Sequence, residues 1–241
     1  SDSFGNYSID NNLKAGPGMS DELFAIKLKN YSYQYASGKT ALSSISLGIK
    51  ESEHTVIIGP NGSGKSTLLR SIVGILRGNG EIRVFGELVK KRNLRHIRKN
   101  VGYLFQDPQV QLFCPTVIED VAFGPLNYHG DELKALSEAG DALTTVGYAG
   151  APETSIHSLS LGEMRKVALA GILAVQPKIL LLDEPDAFLD ESGKKSLVEI
   201  LSALENVTII LVTHDRNFAA AFCKRAIHLE SGEITSEEYL Q

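Results

Sequence analysis

The sequence predicts an α/β fold in which a parallel sheet is covered by helices on both faces. Three observations carry this. The runs Ile179–Leu182 and Val207–Val212 are apolar without alternation, as strands buried on both faces are. A helical pattern at Lys194–Leu204 separates them and completes a strand–helix–strand unit. A third β-rich run, Thr55–Ile58, leads into a glycine-rich loop and then a helix.

Residues 1–18, SDSFGNYSIDNNLKAGPG, are rich in Asn, Ser, Gly and Asp and carry no apolar stretch of secretion-signal type. They read as an expression tag or a short native tail, with Met19 as the natural start. Patterning begins at Phe24. The segment FAIKLKNYSYQY alternates, Ser46–Ile49 is β-rich, and turn signals stand at Ser37-Gly38 and Glu51-Ser52-Glu53. After Gly64 the period becomes helical, with Leu68, Leu69, Ile72, Val73 and Leu76 on one face and Gly78-Asn79-Gly80 as the stop. Strands follow at Ile82–Phe85 and Val101–Phe105. Residues 129–176 read as mostly helical, interrupted by Gly, Pro and Ser near 147–160. After the two buried strands, a last strand at Ala226–Leu229 precedes a short polar end.

With 241 residues and 43% hydrophobic content, the chain can bury one substantial core, or one core and a smaller subdomain. A formal net charge of -5 argues against nucleic-acid phosphates as the main partner. Cys114 and Cys223 are the only cysteines, which fits a reducing compartment and neither a disulfide framework nor a metal-ligand spacing. No apolar run approaches the ~20 residues that span a bilayer, so a membrane role must run through a partner.

GPNGSGKST, from Gly59 to Thr67, fits the phosphate-loop pattern G-x-x-x-x-G-K-[ST] between a strand and a helix. Glycines let the backbone turn its N–H groups inward around a phosphate, and the helix N-terminus adds a positive dipole end. Asn61, Gly62, Ser63, Gly64 and Thr67 are the nucleotide-binding positions of the loop. Lys65 can reach the outer phosphates, and Ser66 can offer its hydroxyl to Mg²⁺. KILLLDEP places Asp183 and Glu184 at the carboxyl end of a buried strand, where open α/β sheets bind ligands. Asp183 is the candidate Mg²⁺ holder and Glu184 the candidate general base. A plain Asp-Glu-Pro turn is the bland alternative.

SLSLGEMRKVALAGILA, from Ser158 to Ala174, opens with an S-x-x-E capping box at Ser160 and Glu163. It resembles the LSGGQ signature of ABC ATPases, with Leu161 in place of the first glycine and Glu163 in place of glutamine. In that family the motif touches the γ-phosphate bound by the opposite subunit, which implies nucleotide contact for Ser160 and Gly162. The resemblance covers residues 24–235. It implies that Tyr35 stacks on adenine, although Tyr31 and Tyr33 compete. It makes Gln106 the residue that senses Mg²⁺ and the attacking water, Leu189 and Asp190 a loop crossing the dimer interface, and His214 a γ-phosphate switch. The histidines at 54, 96, 129, 157 and 228 are assigned no chemistry.

The segment FQDPQVQLFCPTVIEDVAFGPLN, Phe105–Asn127, resembles the ATPases of energy-coupling factor importers, especially the cobalt and nickel branch. The short C-terminus leans the same way. This resemblance implies a P-loop NTPase core with an N-terminal antiparallel β-subdomain and an inserted α-helical signature subdomain at roughly 107–176. Residues 19–241 would form a single ATPase domain. It implies ATP and Mg²⁺ as cofactors, catalysis by Glu184, His214 and Gln106, and metal holding by Ser66, Gln106 and Asp183. The implied partners are a second ATPase subunit, as a homodimer or a paired ATPase, and integral membrane subunits contacted near Asp107, Pro108, Gln111 and Phe113. The place is the cytoplasmic face of the membrane, with no nucleic acid and no site for the transported metal on this chain. A vitamin importer ATPase, a soluble ABC-type assembly ATPase and a non-hydrolysing regulatory module stay open as alternatives.

Overall fold

The computed structural model describes residues 24–187 and 189–240; residues 1–18, read as a tag or tail, lie outside the described residues. Strands β1 (Phe24–Gln34), β2 (Thr40–Lys50) and β3 (His54–Ile58) lead into helix α1 (Lys65–Ile72). Next come β4 (Asn79–Val84), β5 (Glu87–Leu88), α2 (Leu94–Asn100) and β6 (Val101–Leu104). Helices α3 (Val117–His129), α4 (Glu132–Thr145) and α5 (Leu161–Leu173) intervene before β7 (Ile179–Asp183). The chain continues with α6 (Glu191–Ser202), β8 (Thr208–Val212), α7 (Arg216–Ala220), β9 (Arg225–Glu230) and β10 (Glu233–Tyr239).

These strands make two sheets. β2-β1-β4-β5 is antiparallel throughout. The second sheet runs β10-β9-β3-β8-β7-β6, parallel from β9 to β6, with β10 antiparallel on one edge. All side chains of β7 and β8 are buried, and their alternation divides the core. Leu180, Leu182, Ile209 and Leu211 pack with Val121, Ala139 and Val167 from α3, α4 and α5. Ile179, Leu181, Ile210 and Val212 pack with Leu68 and Leu69 of α1 and with Ile26 and Ile49 of the antiparallel sheet. Each such side chain contributes about 1.5–3 kcal/mol over an exposed one. A polar residue on either face would forfeit that, so Ile179–Leu182 and Ile209–Val212 are apolar without a break, and the buried polar residues of the two strands, Asp183 and Thr208, stand at strand ends.

The local reading needs three corrections. Helix α1 stops at Ile72, because Gly74 takes a left-handed backbone (φ 68), so Leu76 lies outside it and Asn79 already belongs to β4. The helical region starts at Val117, not near 129. A capping box between Thr116 and Glu119 opens α3, and the helix runs through Gly124 and Pro125, which read locally as breakers. The polar end contains β10, an edge strand whose ladder is made by the main chain, so no apolar alternation announces it.

Candidate functional site

Four neighbouring parallel strands, β3, β8, β7 and β6, end on one edge of the core sheet. Ile57 pairs with Val212, Val212 with Asp183, and Leu182 with Leu104. The residues just past those ends therefore stand in a row: the loop from Gly59, then His214, Glu184 and Gln106. This is where open α/β sheets place ligands. A cavity of about 420 Å³ opens there, lined by Tyr35, Lys39, Ala41, Asn61, Gly62, Gly64, Lys65, Ser66, Thr67, Gln106, Glu184 and His214. A larger cavity of about 640 Å³, between Glu138, Asp141, Lys178 and Asn206, contains none of the candidate residues.

The loop's glycines have a structural reason. Gly64 has φ 108, and a Cβ there would stand 2.4 Å from the Ala41 carbonyl oxygen. Gly62 has φ 79 with open space around its Cα, leaving room for a group to approach the backbone. Lys65, at the start of α1, donates from Nζ to the carbonyls of Gly59 (2.7 Å) and Pro60 (3.0 Å). Burial pushes its ammonium below the ordinary lysine value, while the charges of Glu184 and Asp183 act the other way. Ser63 is buried behind the loop and does not line the cavity; its Oγ has no partner among the described residues, and its carbonyl accepts from the Gly232 amide at 2.9 Å. Of the three competing tyrosines, only Tyr35 lines the cavity, its hydroxyl 2.8 Å from Thr67 Oγ1. Tyr31 is buried and accepts from the Gly78 amide at 2.7 Å.

Asp183 is fully buried, and both oxygens are engaged. Oδ1 accepts from the Ser66 hydroxyl and Oδ2 from the Tyr103 hydroxyl, each at 2.9 Å. Burial, and then the Asp183 charge, raise the Tyr103 hydroxyl well above the ordinary tyrosine value, so it stays a donor. Glu184 stands at the cavity mouth. Its Oε2 accepts from Gln106 Nε2 at 2.8 Å, and its Oε1 lies 3.1 Å from His214 Nε2. Its backbone is left-handed (φ 48) although Pro185 follows, where extended backbone is preferred. Such strain costs about 1–3 kcal/mol and concentrates at functional sites. The Glu184 amide donates to the Val212 carbonyl at 2.8 Å, which ties this turn to β8.

The donor set fits Mg²⁺ and a polyphosphate. The Ser66 hydroxyl and Asp183 carboxylate are oxygen ligands of the kind Mg²⁺ takes, and the Gln106 amide stands at the same mouth. Mg²⁺, when bound, neutralises charge on phosphate oxygens. Lys65 and the loop backbone line the same cavity as candidates for the phosphates, and the Glu184 carboxylate is a group of the kind that can take a proton from water. Among the described residues no three His, Cys, Asp or Glu side chains gather as a further metal site.

The structure does not bring Ser160, Gly162 or Asp190 into this cavity. Ser160 caps α5: its amide and hydroxyl donate to Glu163 Oε2 at 2.9 and 2.7 Å, and its Oγ accepts from the Glu163 amide at 3.3 Å. Those bonds hold the Glu163 carboxyl below its ordinary value. Leu161 is 40% exposed beside the cap. Asp190 caps α6, accepting from the Gly193 amide at 2.7 Å. Sequence reasoning missed Lys39, Tyr103 and Arg165. Arg165 had a signal, since it shares a helical face with Ala168, Leu169 and Ile172, and a charge in an apolar stripe needs a buried partner.

A family profile described as ABC transporter matches residues 42–187. The energy-coupling factor transporter ATP-binding protein EcfA of Carboxydothermus hydrogenoformans is 40% identical over 216 residues, 88% of this chain and 80% of that protein. EcfA of Methanothermobacter thermautotrophicus is 42% identical over 217 residues, covering 88% and 70%. Among solved structures, cbiO1 from Clostridium perfringens, part of the ABC transporter complex cbiONQ, superposes with a TM-score of 0.81 at 33% identity, over 90% of this chain and 89% of that one. A dimeric ATP-binding cassette in a post-hydrolysis state with ADP and Pi gives 0.82 at 31% identity, over 90% and 99%. The chain belongs to the ABC transporter family, as an ATP-binding subunit of the energy-coupling factor type that uses Mg²⁺ and hydrolyses ATP.

Proposed function

We propose that this chain is the motor of an energy-coupling factor importer for cobalt or nickel ions. It works on the cytoplasmic face of the membrane, as a dimer bound to integral membrane subunits. The observation that carries the membrane contact is an apolar surface directly after Gln106. Val110 and Phe113 are 68% and 65% exposed, and the Phe113 ring stands edge-on to Phe123 at 4.8 Å. An exposed aromatic cluster of this kind marks a docking surface. Of the four residues expected at this contact, Asp107 and Phe113 stay on the surface, whereas Pro108 is buried. Gln111 turns inward, its side chain bonded to the Phe105 amide and the Ala168 carbonyl.

Within the site, Glu184 is the general base, aligned by Gln106 and His214. Lys65 and the loop of Asn61, Gly62, Gly64 and Thr67 hold the triphosphate, Ser66 and Asp183 hold Mg²⁺ with Gln106, and Tyr35 carries the adenine. Ser63 supports the loop from behind. Ser160, Gly162 and Asp190 serve the nucleotide of the second subunit, which accounts for their place outside this chain's own cavity. The cargo rests on the resemblance of Phe105–Asn127, and the match to cbiO1 of the cbiONQ complex supports it. Cells making this subunit with its membrane components should take up Co²⁺ or Ni²⁺, and Glu184→Gln should abolish that uptake. Vitamin uptake without metal uptake would overturn the cargo and leave the ATPase untouched.

A further inference from the structure

Arg165 is 3% exposed, in the second turn of the helix that Ser160 caps. Its guanidinium donates to main-chain carbonyls outside its own helix. Nη1 reaches the Phe105 carbonyl at 3.0 Å, Nη2 reaches the Gln106 carbonyl at 2.8 Å, and a longer contact of 3.5 Å runs from Nη2 to the Ala187 carbonyl. The first two anchor the segment that carries the Gln106 side chain, whose amide touches Glu184. The third reaches the turn three residues after Glu184. One planar fork thus spans the signature helix and both loops that hold the catalytic carboxylate. A guanidinium suits this task because its donors are fixed in one plane and it does not lose its proton. Burial holds its affinity for that proton below the ordinary arginine value, and the charges of Asp186, Asp107, Glu184 and Asp183 counter only part of this.

We propose that Arg165 is a positioning residue for ATP hydrolysis. It holds the Gln106 backbone so that the Gln106 amide stays on Glu184 Oε2, and it thereby ties the alignment of the base to the placement of the signature helix. Its own side chain does not line the cavity, so it acts on the chemical step and not on ATP binding. The inference rests on Glu184 as the base.

The test is a double-mutant cycle read as kcat and KM for ATP. Arg165→Met should lower kcat about 10–100-fold, the scale of a misplaced reacting group, and leave KM within about threefold. In a Gln106→Ala background the same change should cost less than about threefold, because the group it positions is gone. Arg165→Lys keeps the charge without the fork and should fall between Arg165→Met and the wild type. It also carries the cycle if Arg165→Met fails to fold. Losses that multiply in full across the cycle, or a rise in KM matching the fall in kcat/KM, would overturn the positioning role. Failure of the underlying assignment looks different: Glu184→Gln would then hydrolyse ATP at the wild-type rate.

Discussion

Glu184 shows how much a single residue depends on its surroundings. Its carboxylate is gripped from two sides, by Gln106 at 2.8 Å and His214 at 3.1 Å, and its backbone is held in a strained conformation. A group fixed in this way loses little freedom when it aligns a water, which is what a general base needs. Glu184→Gln keeps the size and one acceptor oxygen and removes the charge and the basic oxygen. It should lower kcat by about 10²–10⁴-fold and leave ATP affinity unchanged, as steady-state turnover and nucleotide titration would show. The wild-type rate in this variant would remove Glu184 from its role. The pairing of Asp183 with Tyr103 was not visible in the sequence, because those residues lie 80 positions apart and meet only through the neighbouring strands β6 and β7.

At the scale of the element, α5 is set by its first turn. The Ser160–Glu163 box satisfies N–H groups that no earlier turn can bond. Ser160→Ala should destabilise the protein by about 0.5–2 kcal/mol, seen as a lower denaturation midpoint. The Glu163 carboxyl is held below its ordinary 4.5, so its share of the cap is present above pH 4.5 and is lost as pH falls through the folded value. Glu163→Gln does not titrate, so its midpoint should fall less than that of the wild type between pH 7 and pH 4. Equal falls would show that the carboxylate contributes nothing to the cap. The S-x-x-E box was legible because caps are local. The start of α3 was not, because Pro125 and Gly124 look like breakers and only packing against α4 and α5 keeps the helix through them.

Across the whole molecule, the site is complete on one side and open on the other. The cavity is lined by residues of the phosphate loop and by Glu184, with Asp183 buried beneath Ser66, while the capped end of α5 and Asp190 lie outside it. The proposed function fills this gap with a second ATPase subunit that brings its own signature to the nucleotide. Two chains of net charge -5 repel, so association should need ATP bound between them. Light scattering of Glu184→Gln should show the mass doubling with ATP–Mg²⁺ and a monomer without it. A mass unchanged by nucleotide at micromolar protein would count against the sandwich.

The sequence by itself determined the phosphate loop, the strand-end carboxylates, the capped signature helix and the buried parallel strands. Each is written in contiguous residues, where backbone geometry and burial on two faces leave few choices. Only the tertiary structure decided which tyrosine reaches the cavity, that Ser63 turns away from it, that Pro108 and Gln111 are buried or bonded inward, and that Arg165 joins three segments. Those outcomes depend on strand order and on side chains meeting across long separations, and no local period records either.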